Sequence, residues 1–180
     1  MDDQIYNAVR ALLTTSRIDI AIKQHRTPEA CLDALFTHVS SAVVQAKLAA
    51  GQTARAGLSS HDQVRIGIIV AHAYRCEFSL SFHAALGRRL GLNGAEMEAN
   101  RNGFSHDASA TELLHFCAVV LSQPGTLSDR HFRQLRWAGY GDGEIEESIL
   151  HVLWHAVLCR IANRFPPSDL QRQHGIRFGP

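Results

Sequence analysis

Residues 74–91 read YRCEFSLSFHAALGRRLG, and the reading of this stretch decides how the rest of the chain is understood. At about 100° per residue, Cys76, Ser79 and His83 fall within about 60° of one another on a helix, so a thiol, a hydroxyl and an imidazole share one face. His72, four residues before Cys76, extends the row, while Ile68 and Leu86 continue it as the stripe of an ordinary core face. Tyr74-Arg75 contains no helix breaker, so the expectation is one unbroken helix in which Cys76 gains nothing from a helix N-terminus.

Outward from this stretch the apolar pattern is helical almost everywhere, and no segment reads as a strand. Segment 2 to about 14 is amphipathic, and Thr27 followed by Pro28 opens a longer helix to about residue 49, broken by GQTARAG. Ser60 with Gln63 fits a capping box before RIGIIVAHAYRC. Beyond Gly91, Asn93 with Glu96 repeats the cap-plus-three pattern, and Asp107 caps ATELLHFCAVVLS, which Pro124-Gly125 ends. Ser128 caps DRHFRQLRWA, and Glu144 begins the last long run, ended by Pro166-Pro167. LGLNGAEME at 90–98 aligns without gaps to AGYGDGEIE at 138–146: two helix corners, built either from common capping chemistry or from a duplicated unit.

The composition narrows the functional classes. With 180 residues, 46% of them hydrophobic, the chain suits one domain with a real core. A net charge of +1 with no basic cluster larger than Arg88-Arg89 gives no electrostatic basis for a nucleic-acid or anionic-membrane partner. The acidic start MDDQIYNAVRALLTT is unlike a signal peptide, no apolar run approaches the roughly 20 residues of a membrane span, and the expected compartment is the cytoplasm. Cys31, Cys76, Cys117 and Cys159 are widely spaced, so reduced thiols are expected rather than a disulfide framework. No cysteine pair has zinc-site spacing.

Cys-x-x-Ser-x-x-x-His at 76–83, followed by Gly91 and the capped Asn-Gly-Ala-Glu, resembles the Cys-x-x-Cys-x-x-x-His region of the alkyl hydroperoxidase D proteins within the carboxymuconolactone decarboxylase superfamily. WAGYGDGEIEESILHVLWHAVLCRIANRF resembles the helix corner and terminal helix of that superfamily's longer members. The resemblance implies an all-α, homo-oligomeric fold of about seven or eight helices. Its parts are an N-terminal helical segment over 1–57, a core over 58–165 and a tail over 166–180. It also implies thiol-dependent reduction of organic peroxides, with Cys76 as redox centre, His83 as proton carrier and Ser79, in place of the second thiol, as an orienting donor. The family's relay glutamate corresponds to Val64, and the histidine sometimes found between the thiols to Phe78.

The chemistry explains those residue types. Thiolate attacks the peroxide oxygen, and the sulfenic acid so formed needs a second thiol to resolve it. Ser79 can donate to sulfur and His83 can carry a proton, but neither can close a disulfide. The resolving thiol must be Cys117, Cys159, one from another subunit, or a small thiol reductant. The competing reading makes Cys76 a buried structural cysteine and His83 a core or capping histidine. A non-peroxidase relative acting on a small acid or lactone, or a non-catalytic oligomeric binding protein, is the alternative. His151 and His155, four apart, have the spacing of a metal-binding pair but lack a third ligand, and a groove or subunit contact is expected of them; neither metal nor cofactor is expected. Trp137 and Trp154 are expected in the core.

Overall fold

Capping chemistry divides the chain into helices. The computed structural model describes residues 57–123 and 127–165, where it contains six α-helices and no strand. They are α1 (Ser60–Ala73), α2 (Glu77–Arg89), α3 (Gly94–Arg101), α4 (Ala108–Ser122), α5 (Asp129–Trp137) and α6 (Asp142–Arg164). The all-helical expectation holds. The helices expected at 2–14 and 27–49, the Pro124-Gly125 stop and the tail at 166–180 lie outside the described residues.

Helix α1 is the axis of the fold, packing against α2, α3, α4 and α6. Every residue from Val64 to Ala71 is buried, as expected of a helix surrounded by neighbours on all sides. Ile66 and Val70 join Leu113, Leu114 and Cys117 of α4 and Ile149, Val152 and Cys159 of α6 in the main core. A smaller cluster of Val64, Ile68, Leu92 and Met97 seats α3 on the opposite flank of α1. Glu96 fixes that contact: its carboxylate accepts from Arg65 Nε at 3.1 Å, Asn100 Nδ2 at 3.0 Å, Ser105 Oγ at 2.6 Å and the His106 N–H at 2.8 Å. Burial alone would raise the Glu96 pKa, but these donors, led by the His106 N–H, hold it down at about 2.

Several caps differ in detail from the sequence expectation. Helix α1 is capped by Ser59 rather than Ser60, with the Ser59 Oγ accepting from the Asp62 N–H at 3.1 Å. Asn93 caps α3 as expected, its Oδ1 accepting from the Glu96 N–H at 2.8 Å. The Glu96 carboxylate is turned inward to its four donors instead of closing a capping box. Helix α6 begins at Asp142, and Glu144 is its third residue, accepting from the Gly141 N–H at 2.8 Å.

The two similar corners share their hydrogen bonding. Gly91 (φ 89°) and Gly139 (φ 102°) are left-handed, and the next N–H in each, Leu92 or Tyr140, reaches back to the Gly87 or Leu135 carbonyl. Trp137 is 82% exposed, which corrects the expectation that it lies in the core: α5 turns its buried face through Phe132 and Leu135 instead.

Candidate functional site

The expectation of an unbroken helix through Cys76 is wrong. Helix α1 ends at Ala73, Arg75 adopts φ 50°, and Cys76 is the N-cap of α2. The backbone closes α1 with the same pattern seen at the glycine corners: the Arg75 N–H bonds to the His72 carbonyl at 3.0 Å and the Cys76 N–H to the Ala71 carbonyl at 2.9 Å. Arginine occupies the left-handed position that glycine usually takes, at a local cost of about 1–2 kcal/mol. No residue type in the sequence announces this break. His72 consequently lies on a different helix from Ser79 and His83, exposed and out of the row.

Helix α2 is inverted relative to an ordinary amphipathic helix. Its buried residues are Ser79, His83 and Gly87, while Phe78 and Phe82 are 58% and 59% exposed. The polar face is turned inward onto α1 and α6. Cys76, at the start of that face, is 1% exposed.

His83 Nδ1–H donates to the Ser79 carbonyl at 2.8 Å and lies 3.3 Å from Ser79 Oγ, which leaves Nε2 as the unprotonated nitrogen. Room for the ring exists only because residue 67 is glycine: a Cβ there would stand 2.1 Å from His83 Cδ2 and 2.3 Å from Nε2. On its other side the His83 ring packs edge-on against His155, with centroids 4.6 Å apart. His151 stacks on His155 at 5.8 Å, and His151 Nε2 is 3.5 Å from Glu147 Oε1, whose partner oxygen Oε2 accepts from the Leu58 N–H at 2.8 Å.

Burial keeps both central imidazoles neutral. It lowers the His83 pKa, against a hydrogen bond from the ring to Ser79 and with repulsion from His151 added. It pushes His155 down to about 3, with His83 and His151 acting in the same direction. The Nδ1 atom of His155 is buried and has no hydrogen-bond partner among the described residues.

Cys159 completes the cluster. It lies on α6 one turn beyond His155, fully buried, in the same core cluster as Cys76. Burial raises its pKa; the Ser79 hydroxyl works against this rise, and Cys76 adds to it. Ser79 therefore contacts His83 and acts on the Cys159 thiol. Cys117 is also buried, on α4, where burial and then the charge of Asp62 raise its pKa. Cys76, Cys117 and Cys159 are all free thiols.

The sequence row of Cys76, Ser79 and His83 is thus brought together, without His72, and Gly67, Glu147 and Cys159 join it. A signal for the α6 half was present in the sequence: Glu147, His151, His155, Cys159 and Asn163 recur every fourth residue. Among the described residues no group of three or more His, Cys, Asp or Glu side chains is disposed to hold a metal ion, and no helix is long and apolar enough to cross a membrane. A cleft of about 340 Å³ at the α1–α3 corner is lined by Arg65, Asn93, Glu96 and His106, away from this cluster. The Arg65 and Glu96 charges in its wall are already paired with each other.

Comparison with protein-family models finds no match, and comparison with curated proteins finds none. Among solved structures, the chain is similar to an uncharacterized peroxidase-related protein from Silicibacter sp. TM1040. The identity is 21% and the TM-score 0.55, over 76% of this chain and 68% of the other. The two share an all-helical fold.

Proposed function

We propose that the chain is a thiol-dependent oxidoreductase of the alkyl hydroperoxidase D kind, within the carboxymuconolactone decarboxylase superfamily, reducing organic hydroperoxides slowly as a homo-oligomer. The observation that carries this reading is the helix break. It sets Cys76 at the N-terminus of α2, the end at which backbone N–H groups and the helix dipole favour negative charge. Relatives that the sequence resembles often have Asn-Gly just before this cysteine, starting a new helix there; here Arg75 in the left-handed conformation serves instead. The fold shared with a peroxidase-related protein supports the same reading.

In this scheme Cys76 sulfur attacks the peroxide oxygen, and His83, neutral with Nε2 unprotonated, accepts and returns the proton. Two features make the reaction slow. The position of the relay glutamate is held by Val64, 2% exposed and hydrophobic, and Cys76 at 1% exposure meets peroxide only when the α1–α2 junction opens locally. The exposed Phe78 and Phe82 support a homo-oligomer, since two large rings on one helix face are covered most simply by a neighbouring subunit.

The burial of both Cys76 and Cys159 favours a second reading, in which the cluster is a polar core element of a non-peroxidase relative, an acid- or lactone-processing enzyme or a binding protein. Consumption of cumene hydroperoxide in the presence of a dithiol separates the two. The peroxidase reading expects slow turnover that Cys76→Ser abolishes and Ser79→Cys increases. Activity surviving in Cys76→Ser rejects the thiol mechanism. No activity in wild type together with none gained in Ser79→Cys establishes the second reading.

A further inference from the structure

We infer that Cys76 and Cys159 form a redox dithiol that closes an interhelical disulfide between the N-terminus of α2 and the last third of α6, taking the place of a second thiol within the Cys-x-x-Ser motif. The inference deepens the peroxidase reading and rests on it only for the identity of the oxidant.

Two contacts bracket the pair. At one end His83 of α2 packs on His155 of α6, with centroids 4.6 Å apart. At the other, Asn163 Nδ2 donates to the Tyr74 carbonyl at 2.8 Å. Cys76 lies between Tyr74 and His83 in the chain, and Cys159 lies midway between His155 and Asn163, one helical turn from each, so the antiparallel crossing sets the two thiols against one another. Both belong to the same buried cluster. Cys76 and Ser79 are the groups that act on the Cys159 thiol, which burial holds in its protonated form. Cys117 shares the buried cluster but lies on α4, outside the crossing of α2 and α6 that the two contacts bracket.

The chemistry balances with two partners. An organic hydroperoxide oxidises Cys76: the O–O bond breaks, an S–O bond forms, and the thiol proton ends on the alcohol that leaves. Cys159 sulfur then attacks the sulfenic sulfur. The S–S bond forms as the S–O bond breaks, and the Cys159 proton leaves with the hydroxyl as water. An external dithiol restores both thiols and is itself oxidised to its disulfide. Formation in place also explains why no second cysteine is needed at position 79: the resolving sulfur comes from the facing helix rather than from the next turn of the same one.

The test is made on the full-length wild-type protein. It is reduced, freed of reductant, and treated in parallel with diamide, a thiol-selective oxidant that needs no peroxide chemistry, and with cumene hydroperoxide. Free thiols are then blocked with N-ethylmaleimide under denaturing conditions, and the linked peptides are identified by mass spectrometry. The expected product with diamide is a monomeric disulfide joining the peptides that contain Cys76 and Cys159, with Cys31 and Cys117 blocked as free thiols. With hydroperoxide the same disulfide is expected, and in Cys159→Ala it is replaced by a dimedone-reactive sulfenic acid on Cys76. A diamide disulfide formed through Cys31 or Cys117, or between chains, overturns the inference, as does the absence of any disulfide. A persistent sulfenic acid on Cys76 of the wild type overturns it also. Formation of the Cys76–Cys159 disulfide with diamide but no reaction with hydroperoxide upholds the pair and removes the peroxidase reading alone.

Discussion

Gly67→Ala sets helix propensity directly against the packing of the candidate site. In the middle of a helix, alanine is favoured over glycine by about 1 kcal/mol, and α1 is helical from Ser60 to Ala73. The added methyl would stand 2.1 Å from His83 Cδ2, 2.3 Å from Nε2 and 2.7 Å from Cγ, so the imidazole must move. It has nowhere easy to go, being tied to the Ser79 carbonyl at 2.8 Å and packed against His155. Overpacking a core costs about 1–3 kcal/mol and the lost hydrogen bond about 0.5–1.5 kcal/mol. Subtracting the propensity gain leaves a net destabilisation of about 0.5–3.5 kcal/mol. Urea unfolding at unchanged m-value measures it, with the His83 imidazole signals in NMR reporting displacement of the ring. In a His83→Ala background the same Gly67→Ala change should instead stabilise the protein by up to about 1 kcal/mol, because the clash has gone. Equal or greater stability of Gly67→Ala in the wild-type background, with His83 signals unmoved, would refute the claim that this glycine exists to admit the imidazole.

Three further outcomes are expected. His83 and His155 have folded pKa values below the unfolded value, so the unfolded chain binds more protons: their contribution is complete above about pH 6.5 and is lost as pH falls, for His155 down to about 3. The expected slope is about 1.4 kcal/mol per pH unit for each such proton, and His155→Gln should flatten the stability curve between about pH 6.5 and 4.5; an unaltered curve contradicts it. Glu96→Gln replaces an acceptor of four hydrogen bonds and leaves buried Arg65 with Asp62 as its remaining carboxylate, at a cost of about 3–5 kcal/mol in urea unfolding; a loss below about 1 kcal/mol contradicts the hub. Arg75→Gly removes the left-handed strain and should stabilise by up to about 1 kcal/mol after the larger entropy of the unfolded glycine is subtracted, whereas destabilisation would mean that the exposed Arg75 side chain holds the break in place.

The helices were legible because their caps are chemical. Asn93, Asp107 and Ser128 stand where the sequence predicts, and Gly91 and Gly139 turn the corners that their matching contexts announce. The break before Cys76 was not legible. It uses the same backbone hydrogen bonds, but with arginine in the left-handed position, a choice that tertiary packing enforces and local propensity disfavours. That one residue decided the row: it sent His72 to the surface and gave Cys76 the end of a helix instead of its middle. The inward turn of Ser79 and His83, with Phe78 and Phe82 left outside, runs against hydrophobic patterning, and only the gap over Gly67 and the facing α6 stripe account for it. Cys159 was legible as a thiol and as the residue four beyond His155, but its pairing depends on the crossing of two helices, which spacing within one helix does not reveal.

The central claim, that Cys76 is a redox centre, is tested most directly by single-turnover consumption of hydroperoxide. Prereduced protein freed of all small thiols is mixed with a modest excess of cumene hydroperoxide, and the peroxide remaining is followed with time. The account predicts the slow loss of one equivalent per chain, absent in Cys76→Ser and retained in Cys117→Ser. No loss in the wild type, or the same loss in Cys76→Ser, would contradict it.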